Sequence, residues 1–352
     1  MVVIHARQRI FLFCFLAVIS IVAGCTNDVA SNANSVESDT KGSATAGEKV
    51  TLLLNWYPEA EHGGFYAALV HGIFKKHGLQ VEIRPGGKTT VVPQELTMGR
   101  IQFGVGNADD VLIAREQSAP LVALMSPMQI GPRCIMVRED SGITSFEELK
   151  NITLQIDPAR PYVPFMKSQG LLSENVKTVP YFGNVAQLIS DPRTAQQAYS
   201  FSEPLIAEQQ GVKVRKLMMS DLGYNPYASV LISTEDYLKK DSKLVSRMVA
   251  ACVEGWIKYL ESPEETNRYI LTQNRQGMTE EALAYGVANL KPLCLPDGFD
   301  TKRLGSMDLE RWETLVRQLI SLGMISSKVK ANEAFTTTYL PSVDEFGHSL
   351  TQ

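Results

Sequence analysis

A two-lobed α/β fold follows from three features of the sequence. Short apolar runs alternate with helix-patterned stretches between residues 50 and 125, a smaller alternation of the same kind runs between 152 and 217, and from 242 onward the chain reads as almost wholly helical. Strands alternating with helices of this length imply a parallel sheet covered by helices on both faces. One such block, a second inserted after it and a helical tail make two lobes joined by two crossing segments. The crossings are expected near 137–141 and 222–229, so that 49–138 and 229–352 form a discontinuous first lobe and 139–228 the second.

In the first block the strands are expected at 50–54, 79–83, 101–105 and 121–125, with helices at 66–77, 90–98 and 109–117. Residues 134–137 read as another strand, and Ser145 stands three residues before Glu148, the spacing of a helix-capping pair. The second block places strands at 152–156, 176–179, 198–201 and 213–217, with helices near 163–169, 185–189 and 205–210; 227–232 is one more strand. Helices then follow at 242–261, 263–273, 280–289 and 308–322, the first and last with clear apolar stripes.

The N-terminal segment stands apart from this pattern. Arg7 and Arg9 precede an apolar run too short to span a bilayer comfortably, and Val22-Ala23-Gly24-Cys25 closes it with small residues. That ending resembles a bacterial lipobox, in which residues 1–24 are removed and the Cys25 thiol is acylated; a plain signal peptide or an uncleaved anchor is the alternative. Residues 25–48 are rich in Ser, Asn, Asp, Thr, Ala and Gly and read as a flexible tether between lipid and globular body.

A chain of 352 residues with 44% hydrophobic and 20% charged residues can bury a sizeable core. Its formal charge of −4 shows no basic excess, which sets nucleic acid aside as a partner. Without Arg7 and Arg9 the 34 basic residues become 32 against 38 acidic, a charge of −6. Beyond Cys14 and Cys25 only Cys134, Cys252 and Cys294 remain, enough for one disulfide at most, and no C-x-x-C pair is present. Neither a zinc site nor a redox motif follows, and no cofactor or metal is expected.

Familiar catalytic patterns are missing too. Gly86-Gly87-Lys88-Thr89 imitates the end of a phosphate-binding loop, but the glycine required five residues before Gly87 is Glu82. The stretch reads as a turn between strand and helix, although glycines at a sheet edge also permit close approach to a ligand. No H-E-x-x-H or G-x-S-x-G pattern occurs. His71 and His77, six residues apart, do not share a helix face and read as surface residues.

What stands out is the run from Asn55 to Tyr66, where a buried strand turns through Trp56, Tyr57, Pro58, His62, Gly63 and Gly64 into a helix. Such turns lie at the carboxyl edge of a sheet, where open α/β folds bind ligands. Taken singly, Trp56 and Tyr66 read equally well as core aromatics and His62 as a turn residue. Together, Trp56, Pro58, His62, Gly64 and Tyr66 resemble the W-x-P-x-x-x-H-x-G-x-Y opening motif of the NMT1/THI5-like substrate-binding proteins.

That resemblance implies the periplasmic-binding-protein type II architecture, two α/β lobes around a ligand cleft with the helical C-terminal part packing on lobe 1. It also implies a monomeric solute-binding component of an ABC importer, working with a permease and a separate ATPase. Relatives in the family bind aminopyrimidine thiamine precursors, riboflavin-like rings, alkylsulfonates or nitrate. Yeast-type pyrimidine synthases share the opening motif but depend on a cysteine-rich run that this chain lacks. An enzyme or a ligand sensor on the same fold are the rival readings.

Within that frame the expected ligand contacts are Trp56, Tyr57, His62 and Tyr66 from the opening turn and Asn107 from the next strand end, with Asn107 or Asp109 also placed to cap a helix. In the second lobe they are Tyr181, Asn184, Tyr199 and Glu203, the last in a Glu203-Pro204 pair that resembles one reaching into the family's cleft. Glu203 serves equally as a charge at a helix N-terminus. Arg160, Tyr162 and Tyr227 are further candidates. Glu59, Glu61, Asp109, Asp110 and Glu203 crowd the predicted sheet edges, a pattern that opposes anions and favours a flat, neutral or cationic nitrogen heterocycle.

Overall fold

The computed structural model describes residues 47–342; the signal segment, Cys25 and nearly all of the expected tether lie outside them. Along the chain the strands are β1 (Glu48–Leu53), β2 (Leu79–Arg84), β3 (Phe103–Gly106), β4 (Leu121–Met125), β5 (Arg133–Arg138), β6 (Ile152–Ile156), β7 (Val176–Pro180), β8 (Thr194–Tyr199), β9 (Val214–Met218) and β10 (Val230–Thr234). They form two five-stranded sheets, ordered β2-β1-β3-β10-β4 and β7-β6-β8-β5-β9. The helices between strands are α1 (Gly63–Val70), α2 (Ile73–Lys76), α3 (Val92–Thr97), α4 (Ala108–Glu116), α5 (Tyr162–Ser168), α6 (Ala186–Ser190) and α7 (Glu203–Gln209). A helical layer follows: α8 (Glu235–Lys240), α9 (Ser242–Glu261), α10 (Glu264–Gln273), α11 (Glu280–Cys294), α12 (Leu309–Ser321) and α13 (Ala331–Ala334).

Strand exchange corrects two expectations. The sheets are mixed: β1 pairs in parallel with β2 and β3, and β6 with β7 and β8, but β10 runs antiparallel between β3 and β4, and β5 antiparallel between β8 and β9. Each antiparallel strand is the one that arrives from the other lobe. Since β5 belongs to the second sheet, the first crossing spans 126–132, before the strand expected in the first lobe. The second spans 219–229, beginning slightly earlier than expected.

Other differences have local causes. The helix expected at 66–77 breaks into α1 and α2 at Gly72, which adopts the left-handed φ of 69° that glycine tolerates. Strand β8 starts at Thr194, four residues before the expected position, because its polar Thr194, Gln196 and Gln197 are buried and carry no apolar signal. His71 and His77 are mostly covered; His77 Nε2 lies 2.9 Å from Glu254 and His71 Nδ1 3.5 Å from Glu265.

Four of the six C-terminal helices, α8, α9, α11 and α12, start where a side chain satisfies a free backbone N–H group: Thr234, Asp241, Thr279 and Asp308 accept from the third residue on. The long α9 buries Leu244, Val245, Met248, Cys252, Trp256 and Tyr259 along one stripe against α1 and the first sheet. Glycine makes that approach possible. A Cβ on Gly64 would fall 2.1 Å from Trp256 Cγ, and one on Gly255 2.4 Å from the Gly64 carbonyl oxygen.

This contact predicts a sharp packing cost. Gly64→Ala should lower unfolding free energy by about 1–3 kcal/mol or more, as overpacking of a filled interior does. Urea denaturation measures it, and an unchanged midpoint would show that α1 and α9 can separate freely.

Candidate functional site between the lobes

The carboxyl ends of β1, β3, β6, β7 and β8 face one another across a cavity of about 530 Å³. From lobe 1 the wall is made by the turn after β1, the loop after β2 and the start of α4. From lobe 2 it is made by the start of β5, the loops after β6 and β7, and the start of α7.

The opening turn is built from the inside out. Buried His62 donates through Nε2 to Asn55 Oδ1 at 2.9 Å, and Asn55 Nδ2 lies 3.4 Å from Glu61 Oε1. Ser229 Oγ of the second crossing donates to the same oxygen at 3.0 Å. Burial holds the His62 pKa below its ordinary value, so the ring is a neutral strut. With Asn55 and Glu61 fixed, Trp56 stands in the wall, its ring edge-on to Tyr57 with centroids 5.2 Å apart.

Opposite it, Tyr181 donates from its hydroxyl to Glu203 Oε1 at 2.8 Å, and the Tyr199 backbone N–H donates to Glu203 Oε2 at 2.8 Å. The Arg133 guanidinium lies 4.6 Å from the Tyr199 ring centroid and 5.2 Å from that of Tyr162, and donates to the Tyr199 hydroxyl at 3.1 Å. Asn107 and Asp110 join the wall from the start of α4. Asp110 accepts from the Asn107 backbone and side-chain N–H groups at 3.2 and 3.3 Å, while the buried Asn107 Oδ1 has no hydrogen-bond partner.

Five carboxyl side chains (Glu59, Glu61, Asp110, Asp157, Glu203) and three cations (Lys88, Arg133, Arg160) line the cavity. Each cation is already engaged. Arg160 reaches Asp110 and Asp157, each at 3.4 Å, and Lys88 donates to the Phe182 carbonyl at 3.3 Å. Both sets of contacts draw the lobes together, since Asp110 and Lys88 belong to one and Arg160 and Phe182 to the other. Burial raises the Glu203 carboxyl above its ordinary pKa. It raises Glu59 well above, helped by the negative charges of Glu61 and Glu203.

Of the residues expected at the site, Trp56, Asn107, Tyr181, Tyr199 and Glu203 line the cavity, as does Arg160. The others serve as supports. His62 braces Asn55, and Tyr57 packs edge-on to Trp56, its ring beneath Gly87. Tyr66 is buried against Tyr269 with centroids 5.8 Å apart. Asn184 is exposed and accepts from the Ala186 N–H. Tyr227 sits in the hinge: Arg311 lies 3.7 Å over its ring, and its hydroxyl accepts from the Asp308 N–H. Tyr162 supports Arg133 and Gln197, donating to the latter from its hydroxyl.

Sequence reasoning passed over Lys88 and Arg133. The signal for Lys88 was the glycine pair before it: a Cβ on Gly86 would fall 2.1 Å from the Leu54 carbonyl oxygen, so the loop hugs the β1 turn and aims Lys88 at lobe 2. Arg133 had no comparable signal, because its place depends on β5 joining the second sheet.

Two α/β lobes closing over one cleft define a periplasmic-binding-protein fold. The NMT1/THI5 like family model matches residues 59–266, more than half of the chain, and the chain belongs to that family. It is 25% identical to the formylaminopyrimidine-binding protein of Halalkalibacterium halodurans, covering 86% of this chain and 94% of that one. It is 24% identical to the riboflavin-binding protein RibY of Chloroflexus aurantiacus, over 84% and 86% of the two chains. A 4-amino-5-hydroxymethyl-2-methylpyrimidine phosphate synthase of Saccharomyces cerevisiae, THI11, is 23% identical over 62% of this chain and 73% of its own. Among solved structures, the periplasmic aliphatic sulphonate binding protein SsuA from Escherichia coli superposes with a TM-score of 0.63 at 15% identity, covering 84% of this chain and 94% of SsuA. At that identity the likeness concerns the fold alone.

Behind the cavity, buried Asp109 accepts from the Tyr224 hydroxyl at 2.9 Å, and burial, with the Asp110 charge, pushes its pKa up to about 6. A carboxyl raised in this way keeps its proton after the unfolded chain has lost it. Its charge therefore opposes folding increasingly as pH rises from about 4, the usual carboxylate value, and fully above its raised pKa. Asp109→Asn should melt higher than the parent near neutral pH, the advantage vanishing in acid; differential scanning calorimetry across pH decides it, and an advantage that grew in acid would contradict the assignment.

Proposed function

We propose that this protein is the extracytoplasmic solute-binding component of an ABC importer. It captures a small planar nitrogen heterocycle, similar to a thiamine-precursor pyrimidine, by closing its lobes and delivering the ligand to a permease. The observation that carries this reading is the division of labour in the cavity wall. Aromatic rings come from both lobes, Trp56 from one and Tyr181 and Tyr199 from the other. Acceptors are prominent among the polar groups left to a ligand: carboxyl oxygens, which outnumber the cations of the wall, and the unpartnered Asn107 Oδ1. The cations are held by carboxylates, a carbonyl or ring faces. A flat ring bearing N–H donors matches such a wall, with stacking above and below and hydrogen bonds at its edge.

The formylaminopyrimidine- and riboflavin-binding relatives, each matched along most of its length, support capture of a ring. A catalytic role like that of the synthases finds less support. Cys134, Cys252 and Cys294 are free and buried, and burial pushes each thiol up, away from the reactive thiolate. Attachment to a bacterial membrane through an acylated Cys25 belongs to the same proposal and fits a captor that works beside its permease, as a monomer.

A thermal-shift screen of pyrimidines, flavins and sulfonates tests the reading, because ligand at a hundred times Kd adds about 2.7 kcal/mol of stability. A shift with a heterocycle is expected; a shift with a sulfonate alone would replace this reading by an anion-binding one. For a heterocycle that binds, Trp56→Ala should weaken affinity on the order of tenfold, the worth of one lost ring contact, without lowering the melting temperature of the free protein. Titration calorimetry gives the comparison, and unchanged affinity would remove Trp56 from the site.

A further inference from the structure

One end of the cavity holds more acid than its surroundings can keep ionised. Glu59, Glu61 and Glu203 all line it, and Glu59 and Glu61 are only 8% and 1% exposed. Glu61 accepts from Ser229 and Asn55, and Glu203 accepts from Tyr181 and from the Tyr199 backbone. Glu59 differs: the groups beside its carboxyl are Ser202 and the carboxyl of Glu61. Two carboxyl groups hydrogen-bond to one another only through a proton, since ionised oxygens are acceptors alone.

The groups facing this pair come from every element around it. Glu203 and Ser202 approach from α7, Tyr181 from the loop after β7, Tyr199 from β8, Tyr259 from α9 and neutral His62 from the same turn. The nearby cation, Arg133, acts on Glu203 while held between two tyrosine rings. Three carboxyl groups thus share one partly committed positive charge. Like charges this close cannot all ionise in a buried site, so something positive must join them.

We propose that the ligand-free protein supplies that positive charge as a proton carried by Glu59, and that the ligand is a planar cation which takes the proton's place on binding. The inference rests on the solute-binding function proposed above and adds the charge class of the ligand: an amidinium or a protonated amino-heterocycle. Binding breaks the Glu59 O–H bond, the proton passes to solvent, and the carboxylate it leaves faces the ligand's N–H groups. No carbon bond changes. A neutral ring would leave the proton where it is, and an anion would add to the charge already crowded there.

The test is calorimetric titration of the purified protein with three single-ring probes of similar shape: benzamidine (cation), benzamide (neutral) and benzenesulfonate (anion). Formylaminopyrimidine and riboflavin are run alongside, in buffers of different ionisation heat near neutral pH. Benzamidine is expected to bind well ahead of benzamide and to release about one proton, with affinity rising about tenfold per pH unit while Glu59 retains its proton. Glu59→Gln, checked for an intact melting transition, should abolish both the proton release and the pH slope. The proton count on the unaltered protein stands as evidence even if that variant folds poorly. Heterocycle binding with no proton released, or benzamide matching benzamidine, would overturn this inference and leave the binding function standing. Binding of benzenesulfonate alone, or of none of the five compounds, would overturn both.

Discussion

Each sheet is completed by a strand that comes from the opposite lobe, and this exchange sets the geometry of everything between the lobes. β10 lies inside the first sheet and β5 inside the second, hydrogen-bonded on both sides. Neither crossing segment can therefore swing away without tearing a sheet, and the chain between the sheets is limited to 126–132 and 219–229. Even those are stapled: Arg311 of α12 donates to the carbonyls of Asn225 and Gln129 and to the Asn225 side chain, which also accepts from the Gly131 N–H at 2.7 Å. Burial lowers the Arg311 pKa to about 10, still leaving the guanidinium charged near neutral pH. Through Arg311 and Asn225 the two crossings are tied to α12 and to each other, which fixes how the strand ends face across the cleft.

The opening motif looks different once its neighbours are known. Trp56 alone of its five residues reaches the cavity wall. The Pro58 carbonyl accepts from Asn274, His62 braces Asn55, Gly64 admits Trp256 of α9, and Tyr66 fills the core beside Tyr269. The motif is chiefly a device for folding a turn tightly against the C-terminal helices. Its consequence is chemical, because that turn presents one indole and two buried glutamates to a cleft whose far wall holds another.

Charge then decides what the cleft accepts. Arginines stand at its wall, yet Arg133 is bracketed by tyrosine faces and Arg160 by two aspartates, so their positive potential is largely committed before a ligand arrives. An aliphatic sulphonate binding protein shares the fold of this chain, so the fold cannot make this distinction. It rests on the charges of the wall, where five carboxyl groups stand against three cations that are already engaged.

The sequence by itself determined the alternation of elements, the two-lobed α/β architecture, the turn at Trp56, and Tyr181, Tyr199 and Glu203 as strand-end residues, because apolar periodicity and turn chemistry are local properties. Only the tertiary structure decided the rest. The buried polar strand β8 carries no local signal, since Gln196 and Gln197 resemble surface residues until a sheet covers them. The lobe to which β5 belongs, and hence the place of Arg133, depends on pairing with strands some 60–80 residues later. His62, Tyr66 and Tyr227 differ from Trp56 in nothing a sequence displays; what separates a wall from its supports is which side of the turn the C-terminal helices cover, a matter of contacts between residues far apart in the chain.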